Sequence, residues 1–277
     1  MIINNNIAAM NTHRQMGINQ SEQQSAMEKL SSGMRINKAG DDAAGLSISE
    51  KMRGQINGLE QASRNAQDSI SLIQTAEGAL DESHSILQRM REIGVQAAND
   101  TNDEVDRDAL KDEIDQLSEE LDRIAGSTEF NEKSLLDGDL DGDGALSFQI
   151  GANTGDEQSI SLEISDMSAS ELGDGVDGLD ISDHDNAQDA IENIDTAIQA
   201  VSDQRSELGA VQNRLEHTIS NLDNATENLS AAESRIRDTD MASEMMEMTR
   251  SNILSQASQS MLAQANQQPQ SVLQLLG

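Results

Sequence analysis

Apolar residues recur at helical spacing along most of this chain, and the places where the pattern stops divide it. Ile3, Ile7, Met10, Met27, Leu30 and Met34 predict an amphipathic helix over roughly the first 35 residues. The turn formers from Asn37 to Asp42 end it. Met52, Ile56, Leu59, Ala66, Ile70, Ile73, Leu80 and Leu87 predict a second helix that fades near Asn99–Asn102. Leu110, Ile114, Leu117, Leu121 and Ile124 predict a third, which stops at Gly126 and Ser127. The strongest signal is an aliphatic residue at every seventh position: Ile194, Val201, Leu208, Leu215, Leu222, Leu229 and Ile236. A sustained heptad marks a helix packed along another helix. At about 1.5 Å per residue this one spans about 64 Å over about 43 residues. The helix from Met52 is of similar length and is its natural antiparallel partner. After Arg237-Asp238-Thr239-Asp240 a last amphipathic stretch runs toward Asn266. Pro269 is expected to end it, because proline lacks the helical N–H. Val272, Leu273, Leu275 and Leu276 then form an apolar tail.

Between residues 127 and 186 the period changes. Leu146, Phe148 and Ile150 alternate with polar residues, as do Ile160, Leu162 and Ile164, and glycines lie between the two runs. That is the pattern of a β-hairpin. The stretch from Asp166 to Asp185 reads as an acidic loop with little apolar surface, so removing residues 166–183 is expected to be tolerated. The predicted fold is mainly α. It is a long antiparallel, coiled-coil-like helical rod (residues 44–136 and 187–236) with a small hairpin region (137–186) and paired terminal helices (1–43 and 237–277). A lone amphipathic helix is marginal in water. Each terminal helix therefore needs a partner, either the other terminus or a neighbouring copy of the chain.

Composition supports thin helical packing over a thick core. Hydrophobic residues are 35% and aromatics 1%, with no Trp or Tyr. There is no cysteine, so disulfides and thiolate metal sites are excluded. The formal charge of −33 disfavours nucleic acid as a partner. No apolar run is long enough to span a bilayer, and no cleavable signal peptide is recognisable. The chain is thus expected to stay in the cytosol or to leave by a route that needs no such signal. His13, His84, His184 and His217 are scattered, without the HExxH spacing of a zinc peptidase. Phosphate-binding loops and nucleophile motifs are also missing, so neither an enzyme nor a cofactor is expected. Asp139, Asp141, Asp143 and Gly144 match the first half of a calcium loop, but its twelfth position is Ile150 rather than a bidentate Glu. An acidic turn entering the hairpin is the favoured reading, with a weak calcium site as the alternative. Met241, Met245, Met246 and Met248 read as packing between subunits.

Several linked motifs resemble the bacterial flagellins. The N-terminal run Met1-Ile-Ile-Asn4 to Asn11, then Leu30-Ser-Ser-Gly33-Met-Arg35-Ile-Asn37, Asp41-Asp42-Ala-Ala-Gly45-Leu46 and Met52-Arg-Gly54-Gln55 follow that family's order. So do Asn65-Ala-Gln-Asp68 through Leu80 and Leu87-Gln-Arg89-Met-Arg91-Glu92. Near the C-terminus, Ser234-Arg235-Ile-Arg-Asp238-Thr-Asp240 and Gln264-Ala-Asn266-Gln-Gln-Pro269-Gln-Ser-Val272-Leu resemble the family's closing segment. Gly40 and Glu132 depart from it, standing where the family often has Lys and Gly.

The resemblance implies a secreted, extracellular subunit that polymerises into the filament of the bacterial flagellum. Ile3, Ile7, Met10, Leu30, Met245, Met248, Leu262, Val272, Leu273 and Leu276 would carry polymerisation. It implies export, unfolded, through the flagellar type III apparatus, with a chaperone masking the C-terminal segment. Filament-cap and hook-junction proteins would be further partners. A Toll-like receptor contact would fall at Arg89, Ile93 and Glu113. Two other readings are a hook–filament junction protein, which the Gln264–Leu276 tail argues against, and a generic acidic coiled-coil adaptor.

Overall fold

The computed structural model describes residues 6–276 apart from residue 174; the side chains of residue 143 and of residues 268–276 lie outside the description. The helices are α1 (Ile7–Ser32), α2 (Ala43–Ala97), α3 (Glu104–Ser127), α4 (His184–Arg237) and α5 (Met241–Leu276). Between α3 and α4 lie four short strands: β1 (Glu129–Phe130), β2 (Lys133–Ser134), β3 (Leu146–Gln149) and β4 (Ser159–Leu162). The chain divides into two compact units. A terminal unit contains Met1–Gly54 with Asn228–Gly277, and a central unit contains Gln55–Glu227.

In the central unit α2 and α4 run antiparallel, as the heptad predicts. Arg205 pairs with Asp81 at 3.1 Å and Arg91 with Asp195 at 2.5 Å. Ile194, Val201, Leu208 and Leu215 are fully buried in one core with Leu80, Leu87, Met90, Ile93, Ile114 and Leu121. Leu222 is also buried, while Leu229 and Ile236, which fall in the terminal unit, are half-buried. α3 starts on a capping box, in which Asp103 and Asp106 satisfy each other's backbone N–H groups.

The expected hairpin forms as β3 and β4, with Leu146 opposite Leu162 and Phe148 opposite Ile160. The pair β1–β2 was not legible in the pattern, being two residues per strand. Its turn places Asn131 and Glu132 at positive φ, 53° and 65°.

The segment after β4 corrects the expectation of a bare acidic loop. Ile164, Met167, Ala169, Leu172, Val176, Leu179 and Ile181 are all buried in the core of the central unit. Acidic residues occupy the positions between, so the segment's composition is that of a loop while its apolar residues pack as a strap. Side chains of neighbouring helices hold its backbone. Gln204 accepts from Ser165 N–H and donates to the Glu163 carbonyl, Asp122 accepts from Ala169 N–H, and Arg107 donates to the Ser182 carbonyl. At Gly173, φ is +65° and an added Cβ would lie 3.1 Å from the Ala197 backbone nitrogen, so only glycine lets the strap approach α4 this closely.

Charge is distributed very unevenly. In the terminal unit nine Lys and Arg nearly cancel ten Asp and Glu, whereas the central unit sets nine against forty-one. Among the described residues no helix is long and apolar enough to cross a membrane.

Candidate functional site at the chain ends

The terminal unit is built on α1 and α5, which lie antiparallel. Asn6 caps α1, its Oδ1 accepting from Ala9 N–H at 3.1 Å. Gly33 closes the helix at φ 71°, donating its N–H to the Lys29 carbonyl. The buried seam between the two helices is small and polar: Asn19, Ala26, Ser251, Ser255 and Ala265. Polar pairs cross it in order. Asn19 donates to Ser258 Oγ at 3.3 Å, Gln23 to Asn252 Oδ1 at 2.8 Å, and Lys29 lies 3.8 Å from Glu244. A seam of this kind supplies little apolar burial, but it fixes one register, because a slip would strand several polar groups at once.

Pro269 does not end α5, which continues to Leu276. The reason lies in α1. A proline at position 269 has no N–H for the carbonyl four residues earlier, that of Ala265. Asn6 Nδ2 donates to that carbonyl at 2.7 Å. One side chain therefore caps α1 through its oxygen and takes up the freed acceptor of α5 through its nitrogen. Sequence reasoning missed this pairing; its visible sign was the proline and the acceptor that its chemistry leaves open.

Below these helices the same unit holds two turns together. Met34 and Asp238 form an antiparallel bridge, Arg35 N–H donates to the Arg237 carbonyl at 2.6 Å, and Thr239 N–H donates to the Gly33 carbonyl at 3.1 Å. The half-buried Arg237 guanidinium reaches Glu50 at 2.8 Å and Ser49 at 3.3 Å. In the Asp41-Asp42-Ala-Ala-Gly45 motif, Asp42 accepts from Gly45 N–H at the start of α2. A Cβ at Gly45 would stand 2.7 Å from the Ile36 side chain. Backbone N–H groups of Lys38 and Asn37 hold the Asp41 carboxyl below its ordinary range.

The sequence-predicted polymerisation residues fall into three groups. Ile7, Met10 and Met245 are exposed, while Leu30, Met248 and Leu262 are half-buried. Val272, Leu273 and Leu276 lie on the last turns of α5 with side chains outside the described residues, as is Ile3 altogether. In the central unit Arg89 and Glu113 meet, Nη2 to Oε1 at 2.8 Å. The hydrogen bonds that Arg89 donates, first to Glu113 and then to Glu92, raise its pKa above the ordinary value. Ile93, expected beside them as a contact residue, is fully buried and does not reach the surface. The Asp139–Gly144 segment forms a tight 3₁₀ turn, Gly142–Gly144, leading into β3.

Comparison with known proteins agrees with this architecture. Residues 3–140 match the bacterial flagellin N-terminal helical region and residues 191–276 the bacterial flagellin C-terminal helical region. A flagellin of Halalkalibacterium halodurans is 65% identical over 276 residues, covering all of both chains. A flagellin of Bacillus subtilis is 58% identical over 305 residues, again covering all of both. A solved chain from Vibrio parahaemolyticus, described as a flagellar hook-associated protein, aligns with a TM-score of 0.58 at 13% identity over 72% of this chain and 100% of its own. That likeness shows a shared fold, and the sequence identities decide between the two kinds of protein. The chain belongs to the bacterial flagellin family: it is a structural subunit, not an enzyme, that polymerises into the extracellular flagellar filament used for swimming.

Proposed function

We propose that polymerisation runs through the terminal unit, with α1 and α5 forming the filament core. The observation that carries this reading is where apolar surface is left open. Apart from Val95 and Val105, every strongly exposed large hydrophobic among the described residues lies in the terminal unit; Ile7 is 61% exposed, Met10 67%, Met245 49% and Met246 68%. Covering such residues is favourable by about 25 cal/mol per Å². That gain has to exceed a backbone ordering cost of about 1–2 kcal/mol per residue. The polar seam between α1 and α5 supplies little of it, so contacts with other copies have to provide the rest.

The same open face suits a cytosolic chaperone that holds α5 before assembly. Secretion through the flagellar export apparatus, and contact with filament-cap and hook-junction proteins, follow from the family reading. Arg89 and Glu113, exposed and paired, are the residues that a Toll-like receptor would touch, with Ile93 acting from beneath by packing.

The test is truncation. Removing residues 1–35, or 241–277, is expected to leave a soluble helical monomer that forms no filaments under the electron microscope. A chain trimmed at either end that still polymerised would overturn the assignment.

A further inference from the structure

The chain carries 13 methionines and no cysteine, tryptophan or tyrosine. Thioethers are therefore its most readily oxidised groups, and they are unevenly placed. The methionines of the central unit are Met90 and Met167, 0% and 3% exposed and packed in its core. In the terminal unit Met10, Met27, Met241, Met245, Met246 and Met261 stand between 48% and 68% exposed. Met245 and Met246 line an open, largely apolar pocket on α5 with Thr249, Arg250, Ile253 and Leu254. Two polar residues border that pocket: the Thr249 hydroxyl donates to the Met245 carbonyl, and Arg250 pairs with Glu247 at 3.2 Å.

We propose that Met245 and Met246 form a modification site, at which a hydroperoxide oxidises the unassembled subunit and thereby bars it from the filament. In the step itself the thioether sulfur attacks a peroxide oxygen. An S–O bond forms as the O–O bond breaks, sulfur gives up two electrons, and the peroxide leaves as water, or as an alcohol when it is organic. The product is a polar sulfoxide in a largely apolar pocket, and burying that polar group opposes closure of an apolar interface. Met90 and Met167, closed off in the core, escape the reagent. The proposal rests on the reading that α5 is covered in the filament. It adds that the subunit is open to oxidation only until it is incorporated.

The experiment is a partition. Full-length monomer is partly oxidised with hydrogen peroxide and polymerised on untreated seeds. Sulfoxide at each methionine is then measured by mass spectrometry in pellet and supernatant. Sulfoxide at Met245 and Met246 is expected to be depleted at least about tenfold in the pellet, as for an interface weakened by one decade in affinity, with Met90 and Met167 unmodified in both. Methionine sulfoxide reductase should return the supernatant subunits to the pellet. Equal occupancy in both fractions would overturn the proposal. Preformed filaments treated alike separate the two claims: Met245 and Met246 that oxidise as fast there as in the monomer would refute the covered position of α5. The variant M245L/M246L, close in volume, is expected to polymerise after peroxide treatment that stops the parent chain, and equal sensitivity would move the site elsewhere. If that variant does not assemble even untreated, the partition of the parent chain decides alone.

Discussion

Single residues in this protein carry more than their types suggest. Asn6 serves two helices, and the two functions can be separated by substitution. Asn6→Asp keeps the oxygen that caps α1 but loses the donor to Ala265, leaving a carboxylate against a carbonyl. It is expected to destabilise the terminal unit by about 1–3 kcal/mol, the cost of an unsatisfied buried acceptor. Pro269→Ala supplies the missing N–H, so the same change made in that background should cost less. Thermal melts of the four chains test this, and an equal cost in both backgrounds would refute the link. Glu132 is the second case. It adopts the left-handed conformation, in the turn of β1 and β2, that glycine holds without steric cost. Glu132→Gly is expected to stabilise the central unit by about 1 kcal/mol, a rise of about 2–4 °C in Tm for a body of this size. An unchanged melting temperature would show that the turn stores no strain.

At the scale of elements, the strap between β4 and α4 reverses what the sequence led one to expect. Deleting residues 166–183 uncovers the sites of Met167, Leu172, Val176, Leu179 and Ile181, each buried in the core. Burial of one such side chain contributes about 1.5–3 kcal/mol, and a whole domain is stable by only about 5–15 kcal/mol. The shortened chain is expected to lose helical signal at a much lower temperature and to form no filaments at ordinary temperature; circular dichroism and microscopy check both. The helices were legible because their period is set by the neighbour they pack on, and the Ile194–Leu222 heptad names that neighbour. The β3–β4 hairpin was legible from its alternation. The strap was not, since it has no period: its apolar residues fall wherever an extended chain crosses a groove that only the folded α3 and α4 create. The α1–α5 seam was obscured for another reason. Its buried residues are Asn, Ser and Ala, which on sequence alone belong to a solvated face.

At the scale of the whole molecule, charge is divided unevenly. The terminal unit is close to neutral, and almost the entire −33 resides in the central unit. Central units on neighbouring subunits repel, and their repulsion is screened as the Debye length shrinks from about 10 Å at 0.1 M salt to about 3 Å at 1 M. Seeded polymerisation is expected to speed up over that range, followed by light scattering. Rates that do not change with salt would show that the acidic surfaces do not meet during assembly.

The same separation of charge gives the finished polymer an osmotic character. Electroneutrality requires roughly thirty monovalent cations to accompany each subunit, and they cannot leave while the carboxylates stay ionised. When two filaments approach, their ion clouds overlap, and water drawn in to dilute them pushes the surfaces apart. Filaments turning side by side would then be separated by a thin compressed film of ions and water, a lubricant that the chain carries in its composition.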